Sequence, residues 1–358
     1  MNDRNERRRQ MTDRPMGLER PISSVGFWFD HAMVQERART RLEVRLSHLK
    51  NQGRTDADAA ELHELVSAVE NFVDDRLVEY AFRHPTAPWW RRMPEACQPQ
   101  TMGKILGHID DFGRWYRPDD VMVPLETRTR RQEQTDERGE KWIWVKGIER
   151  FLTPSKLAKY AGLLPGRQRS TGQEREDNTD FRTILFRWMQ FGVMFHDCRY
   201  RERYYGYKLW KQKDLEVAGV KILPAPKGRF CGECREEQEV PKDTRLCPVC
   251  GTKLGRKEEP PGVIWAGHLD NMARRWTVKL FLNHLWVVYR QAEELSVRAP
   301  YPIEKMPEKH ATVIDPWKMC DVDELPPLAE RKVPGERKRR KMLSRDKSST
   351  RTDAVPGS

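Results

Sequence analysis

Two stretches near the start of the chain set apolar residues three and four positions apart, the period of a helix that buries one face. Over residues 27–50 that face carries Met33, Val34, Ala38, Leu42, Leu46 and Leu49. Over 57–82 it carries Leu62, Leu65, Val66, Val69, Phe72, Val73, Leu77 and Val78. Asn51, Gln52 and Gly53 lie between them and read as a turn. The spacing predicts an antiparallel helical hairpin over 26–83. Its stripes are buried against each other or, as the alternative, against a partner in a coiled coil.

Beyond the hairpin the signals are shorter. Residues 84–100 are rich in Pro and Trp and read as an irregular connection, with a short helix over 103–112. A charged stretch over 117–139 leads to Trp142, Ile143, Trp144 and Val145, a brief strand. A short helix over 154–160 has Thr153 as its cap, Pro154 in its first position and Gly162 just past its end. Helical periodicity covers 181–195, continues over 200–213 among basic and aromatic residues, and returns over 267–295. The expected fold is mainly α, with a small β insert over 225–261 between a first helical part, 84–224, and a last helix in 262–303. Residues 1–25 and 304–358 are polar, Pro-containing and basic, which predicts disordered arms.

Charged residues make up 34% of the chain against 37% hydrophobic, so the expected helices are highly solvated. The net charge of +12 suits a polyanionic partner. No stretch approaches the length of a membrane span, and the first ten residues form no apolar leader core, so a cytoplasmic, non-membrane protein is expected. Seven cysteines, an odd number, suit a reducing compartment better than a disulfide framework.

Four of those cysteines form two CxxC pairs, Cys231 with Cys234 and Cys247 with Cys250. Each pair presents two thiolates from one knuckle, and two knuckles close a tetrahedral sulfur site of the kind structural zinc takes. The segment thus predicts an inserted zinc ribbon with Zn2+ as a structural cofactor, iron being the alternative metal. A closed site of this kind has no open position for catalysis. Cys97, Cys198 and Cys320 have no paired spacing.

A basic loop with Arg167, Arg169, Ser170 and Arg175 follows the 154–160 helix. Glycines, guanidinium groups and a hydroxyl beside a helix start suit a phosphate, while an ordinary solvated connection is the plain alternative. Arg182, Arg199, Arg201, Arg203 and Lys208 extend the basic cluster, with Tyr204 among its aromatics. Guanidinium groups bind phosphates and aromatic faces take unpaired bases, so these residues are the candidate nucleic-acid contacts. The alternative puts the aromatics in the core and the arginines on a solvated face.

The order of these segments resembles the C-terminal domain of the Piv-type (DEDD) insertion-sequence transposases. Leu157, Tyr160, Ala161, Gly162, Leu163, Pro165, Ser170, Gly172, Arg182 and Leu185 fall on that family's pattern. His84-Pro85 and the run from Gly103 to Asp110 resemble its helix-hairpin-helix approach, and Leu285, Trp286, Arg290 and Tyr301 its closing helix. Met93 to Cys97 stand where the family has a glycine turn, and 115–150 intrudes. The resemblance is to short members that lack the N-terminal RNase H-like acidic domain. It implies DNA binding in transposition or site-specific recombination, with Ser170 as the nucleophile on a DNA phosphodiester. It also implies Mg2+ if the chain is catalytic, and a separate acidic RNase H-like chain, a structured guide RNA or a homo-oligomer as possible partners. A noncatalytic nucleic-acid-binding adaptor and a zinc-stabilised protein-interaction scaffold are the alternatives.

Overall fold

The computed structural model describes residues 25–110, 112–117, 133–164, 177–225, 228–238, 240, 244–255, 259–298 and 314–325. Within them the chain is mainly helical, with small sheets. Helices α1 (Val25–Asn51) and α2 (Ala57–Arg83) pack along one another. Asp56 caps α2 by accepting from the Ala59 amide at 2.9 Å, and Arg45 donates to the same carboxylate at 2.8 Å. Farther along, Arg39 donates to Glu70 at 2.5 Å, and Phe29 and Ala32 meet Val73 and Leu77 in a small cluster. Contacts that run forward along α1 and backward along α2 make the pair antiparallel. The apolar stripe drawn from the sequence on α2 is wider than the buried face. Val73 and Leu77 are buried, whereas Leu62, Leu65, Val69 and Phe72 are exposed.

A short turn α3 (Ala87–Trp90) and helix α4 (Pro99–Asp110) follow. Gly103 and Gly107 let α4 press against the helix pair. A Cβ at Gly103 would stand 2.9 Å from the Leu77 carbonyl oxygen, and one at Gly107 2.7 Å from the Phe29 ring. Strands β1 (Arg114–Tyr116), β2 (Glu133–Thr135) and β3 (Lys141–Val145) form an antiparallel sheet in the order β1-β3-β2. The expected strand at 142–145 is thus the middle of three. The turns α5 (Gly147–Arg150) and α6 (Pro154–Tyr160) lead to α7 (Thr179–Arg187), which runs into a π-helical turn, Trp188–Val193. Helix α8 (Arg199–Val217) is a separate element rather than a continuation.

Helix α9 (Ala266–Ala292) is the axis of the body. Phe281, Leu282, Leu285, Trp286 and Tyr289 are buried in one core with Trp89, Leu157, Leu163, Phe181, Trp188 and Tyr200. Trp188 stacks on Phe281 at 4.0 Å, and Trp286 donates to the Phe151 carbonyl at 2.5 Å. The segments around Tyr160 and on the last helix therefore share one core. Asp110 is half-buried at its edge, accepting from Tyr289 at 2.6 Å and from Tyr80, with His84 3.5 Å away.

Two features had no counterpart in the sequence reading. Strands β4 (Lys221–Leu223) and β7 (Val263–Trp265) pair in parallel and close the base of the 225–261 insert, which supplies the crossover that a parallel pair needs. Residues 314–325, expected within the disordered tail, lie on the core through a 3-10 turn, Pro316–Met319. Trp89 donates to the Pro316 carbonyl at 2.9 Å, and Met319 and Cys320 are buried. Residues 1–24 and 326–358 lie outside the described residues.

Candidate metal centre and nucleic-acid interface

Strands β5 (Arg229–Cys231) and β6 (Glu236–Gln238) form the first knuckle, with Cys231 opposite Glu236. The second is held by the Cys247 amide donating to the Thr252 carbonyl at 2.8 Å and that of Gly251 to the Cys247 carbonyl at 2.9 Å. The residue after each second cysteine, Arg235 and Gly251, has a positive φ, 56° and 72°. A bridge from Phe230 to Gly255 joins the halves, and one from Leu246 to Lys253 closes the second knuckle. The sulfurs of Cys231, Cys234, Cys247 and Cys250 lie within 4.8 Å of one another, unbridged by disulfides. Four thiolate donors at that spacing, three of them at least half-buried, are compatible with a structural zinc site. A hydrogen bond with Thr252 holds the Cys250 thiol down at about 6, which favours its thiolate.

The basic candidates do not share one face. Arg182 lines a groove of about 610 Å³ between α7, the π-helical turn and the start of α9, together with Arg187, Gln190, Phe191, Asn271 and Arg274. Lys208 reaches the same place from α8, donating to Asp270 at 2.9 Å. Burial raises the Asp270 carboxyl, but hydrogen bonds from Tyr204, Lys208 and Arg274 outweigh it and hold the group at about 2. Arg187 pairs with Glu36 on α1, and Lys104 on α4 pairs with the same carboxylate at 2.9 Å. Burial raises Glu36, yet the two cations hold it below the usual carboxylate range. These pairs tie the groove walls together, and Arg182 itself donates to Asp177 at 3.3 Å.

The remaining candidates lie elsewhere. Arg199 donates to the Lys318 carbonyl at 2.7 Å, so it ties down 314–325. Arg201 donates to the His196 carbonyl at 3.4 Å, and Arg203 is exposed. Tyr204 is 1% exposed and donates its hydroxyl to Asp270, so its ring offers no face to a base. Arg167, Arg169, Ser170 and Arg175 lie outside the described residues. The two ends of their segment are clasped: the Asn178 amide donates to the Tyr160 carbonyl at 2.8 Å, and its side chain to the Tyr160 hydroxyl at 2.7 Å. Gly162 has φ +66° where Asp177 crowds it.

The groove residues Arg274 and Phe191 carried no sequence signal. Arg274 on α9 donates to Asp270 at 2.7 Å and to Gln190, and Phe191 and Phe195 stack at 6.0 Å with rings 15° apart. Both rings are exposed, at 62 and 67%. Phe191 lies in the π-helical turn and Phe195 just past its end, and such turns recur at functional sites. Residues 1–24 carry six basic residues against four acidic, and 326–358 ten against four, so eight of the twelve net positive charges belong to the two ends. Among the described residues no helix is long and apolar enough to cross a membrane. No protein-family model, curated protein or solved structure matches the chain.

Proposed function

We propose that this chain is a DNA-binding protein of transposition or site-specific recombination, built around a transposase-like helical body with an inserted zinc ribbon. The groove between α7, the π-helical turn and α9 is its DNA contact. The observation that supports this reading is the joint presence there of Arg182, Arg187 and Arg274 with the exposed Phe191, whose ring stacks on Phe195 beside the groove. Guanidinium groups take phosphate oxygens, and a flat aromatic pair takes an unpaired base. The ribbon holds Zn2+ on its four cysteines in a structural role. Ser170 is the nucleophile if strand transfer occurs, with Mg2+ and an acidic partner chain supplying the metal chemistry.

Fluorescence anisotropy with single- and double-stranded oligonucleotides over a salt series tests the contact. Affinity should fall linearly on a log–log scale with salt, and Phe191→Ala with Phe195→Ala should weaken single-strand binding by about 1–3 kcal/mol per stacked base. Undetectable binding, or binding that ignores these changes and Arg182→Ala, overturns the reading. A covalent protein–DNA adduct that disappears in Ser170→Ala marks a recombinase, whereas binding without any adduct marks the noncatalytic adaptor.

A further inference from the structure

Half of the apolar stripe on α2 has no cover among the described residues. Leu62, Leu65, Val69 and Phe72 are 50, 59, 46 and 52% exposed, while Val73 and Leu77 are buried against α1 and Ala59 is buried on the same face. The exposed four recur at intervals of three, four and three, the spacing of a coiled-coil seam. At 3.6 residues per turn they stand about 100° round α2 from its buried face. Phe72 meets Trp28 of α1 edge-on at 5.9 Å, so the seam continues onto the same side of α1. Helical geometry places the half-buried Leu42 and Leu49 on that side too.

Charge identifies the occupant. Helix α2 carries seven acidic residues against two basic, and α1 five basic against three acidic. Exposed Asp58 and Glu61 lie beside the seam on α2, and exposed Arg41 and Arg45 flank α1. An acidic, apolar face repels a nucleic acid. It complements a second copy turned by a two-fold axis, with α1 of each chain over α2 of the other. We propose that this face is the homodimer interface of the protein, closing a four-helix bundle with Leu62, Leu65, Val69 and Phe72 at its centre.

Sedimentation equilibrium of the full-length chain tests this. The expected result is a dimer whose dissociation constant rises by roughly tenfold or more in Leu65→Glu with Val69→Glu, at unchanged helical circular dichroism, because each charge is forced into an apolar seam. Glu61→Lys should weaken the dimer, and adding Arg41→Glu should restore it. A wild-type chain that stays monomeric at high micromolar concentration overturns the proposal. So does a dimer that survives the double glutamate variant. The per-chain affinity of the monomeric variant for a short DNA reads the groove separately, so failure of either idea leaves the other standing.

Discussion

Removing metal from the cysteine cluster should unfold residues 228–255 and leave the helical body intact. The core of that segment consists of Cys231, Cys247 and Leu254, with Cys234 and Val240 packed beside them. Burying a single leucine contributes about 1.5–3 kcal/mol, whereas structural zinc in such small domains contributes about 10–16 kcal/mol. On the proposed zinc site, metal binding, far more than apolar burial, would hold the knuckles together. The body has its own core, and the parallel pairing of Lys221 with Val263 and Leu223 with Trp265 closes the insert at its base. Hydrogen exchange before and after chelation is the assay. Protection should vanish over 228–255 and persist on α9, and Cys231→Ser should reproduce the loss with zinc present. Retained protection of the knuckles in metal-free protein would refute the reasoning.

Other consequences follow from single residues. Gly162→Ala should lower stability by about 1–3 kcal/mol, because φ is +66° and the added methyl group meets Asp177. Gly53→Ala, with φ +67° and open space around it, is the control, and an equal loss there would remove Asp177 from the account. Arg235→Gly should stabilise the first knuckle by about 0.5–1 kcal/mol in chemical denaturation, since a non-glycine residue at φ 56° is strained. Asp270 is held at about 2 when folded, below its ordinary value of 3.8, so its contribution is present above that value and is lost as pH falls toward 2. The melting-temperature gap between wild type and Asp270→Asn should accordingly narrow from pH 5 to pH 2.5, and a constant gap would exclude the charge as its cause.

Much of the architecture is local and was legible in the sequence. Thr153, Pro154 and Gly162 bound α6 at its observed ends, because caps and a left-handed terminus act within a few residues. The two CxxC pairs specified a cysteine cluster, since each knuckle carries its own geometry. The two long helices and α9 followed from periodicity. A period marks which residues are apolar, however, and cannot say which of two adjacent faces a neighbour will cover. Leu62, Leu65, Val69 and Phe72 therefore looked like core and lie exposed.

Tertiary packing alone decided the candidate groove. Arg182 and Arg274 are 92 positions apart in the sequence, and they meet only because α7 and α9 flank one core. The exposure of Phe191 depends on the extra residue of a π-helical turn, which composition does not announce. Tyr204 and Arg199 read as surface contacts, yet one supports Asp270 from inside and the other fastens 314–325. The sequence by itself determined the helices, their caps and the cysteine chemistry, all set by neighbours within a few residues. Which side chains face each other, and which are left to meet a partner, depended on contacts between distant segments that no local rule contains.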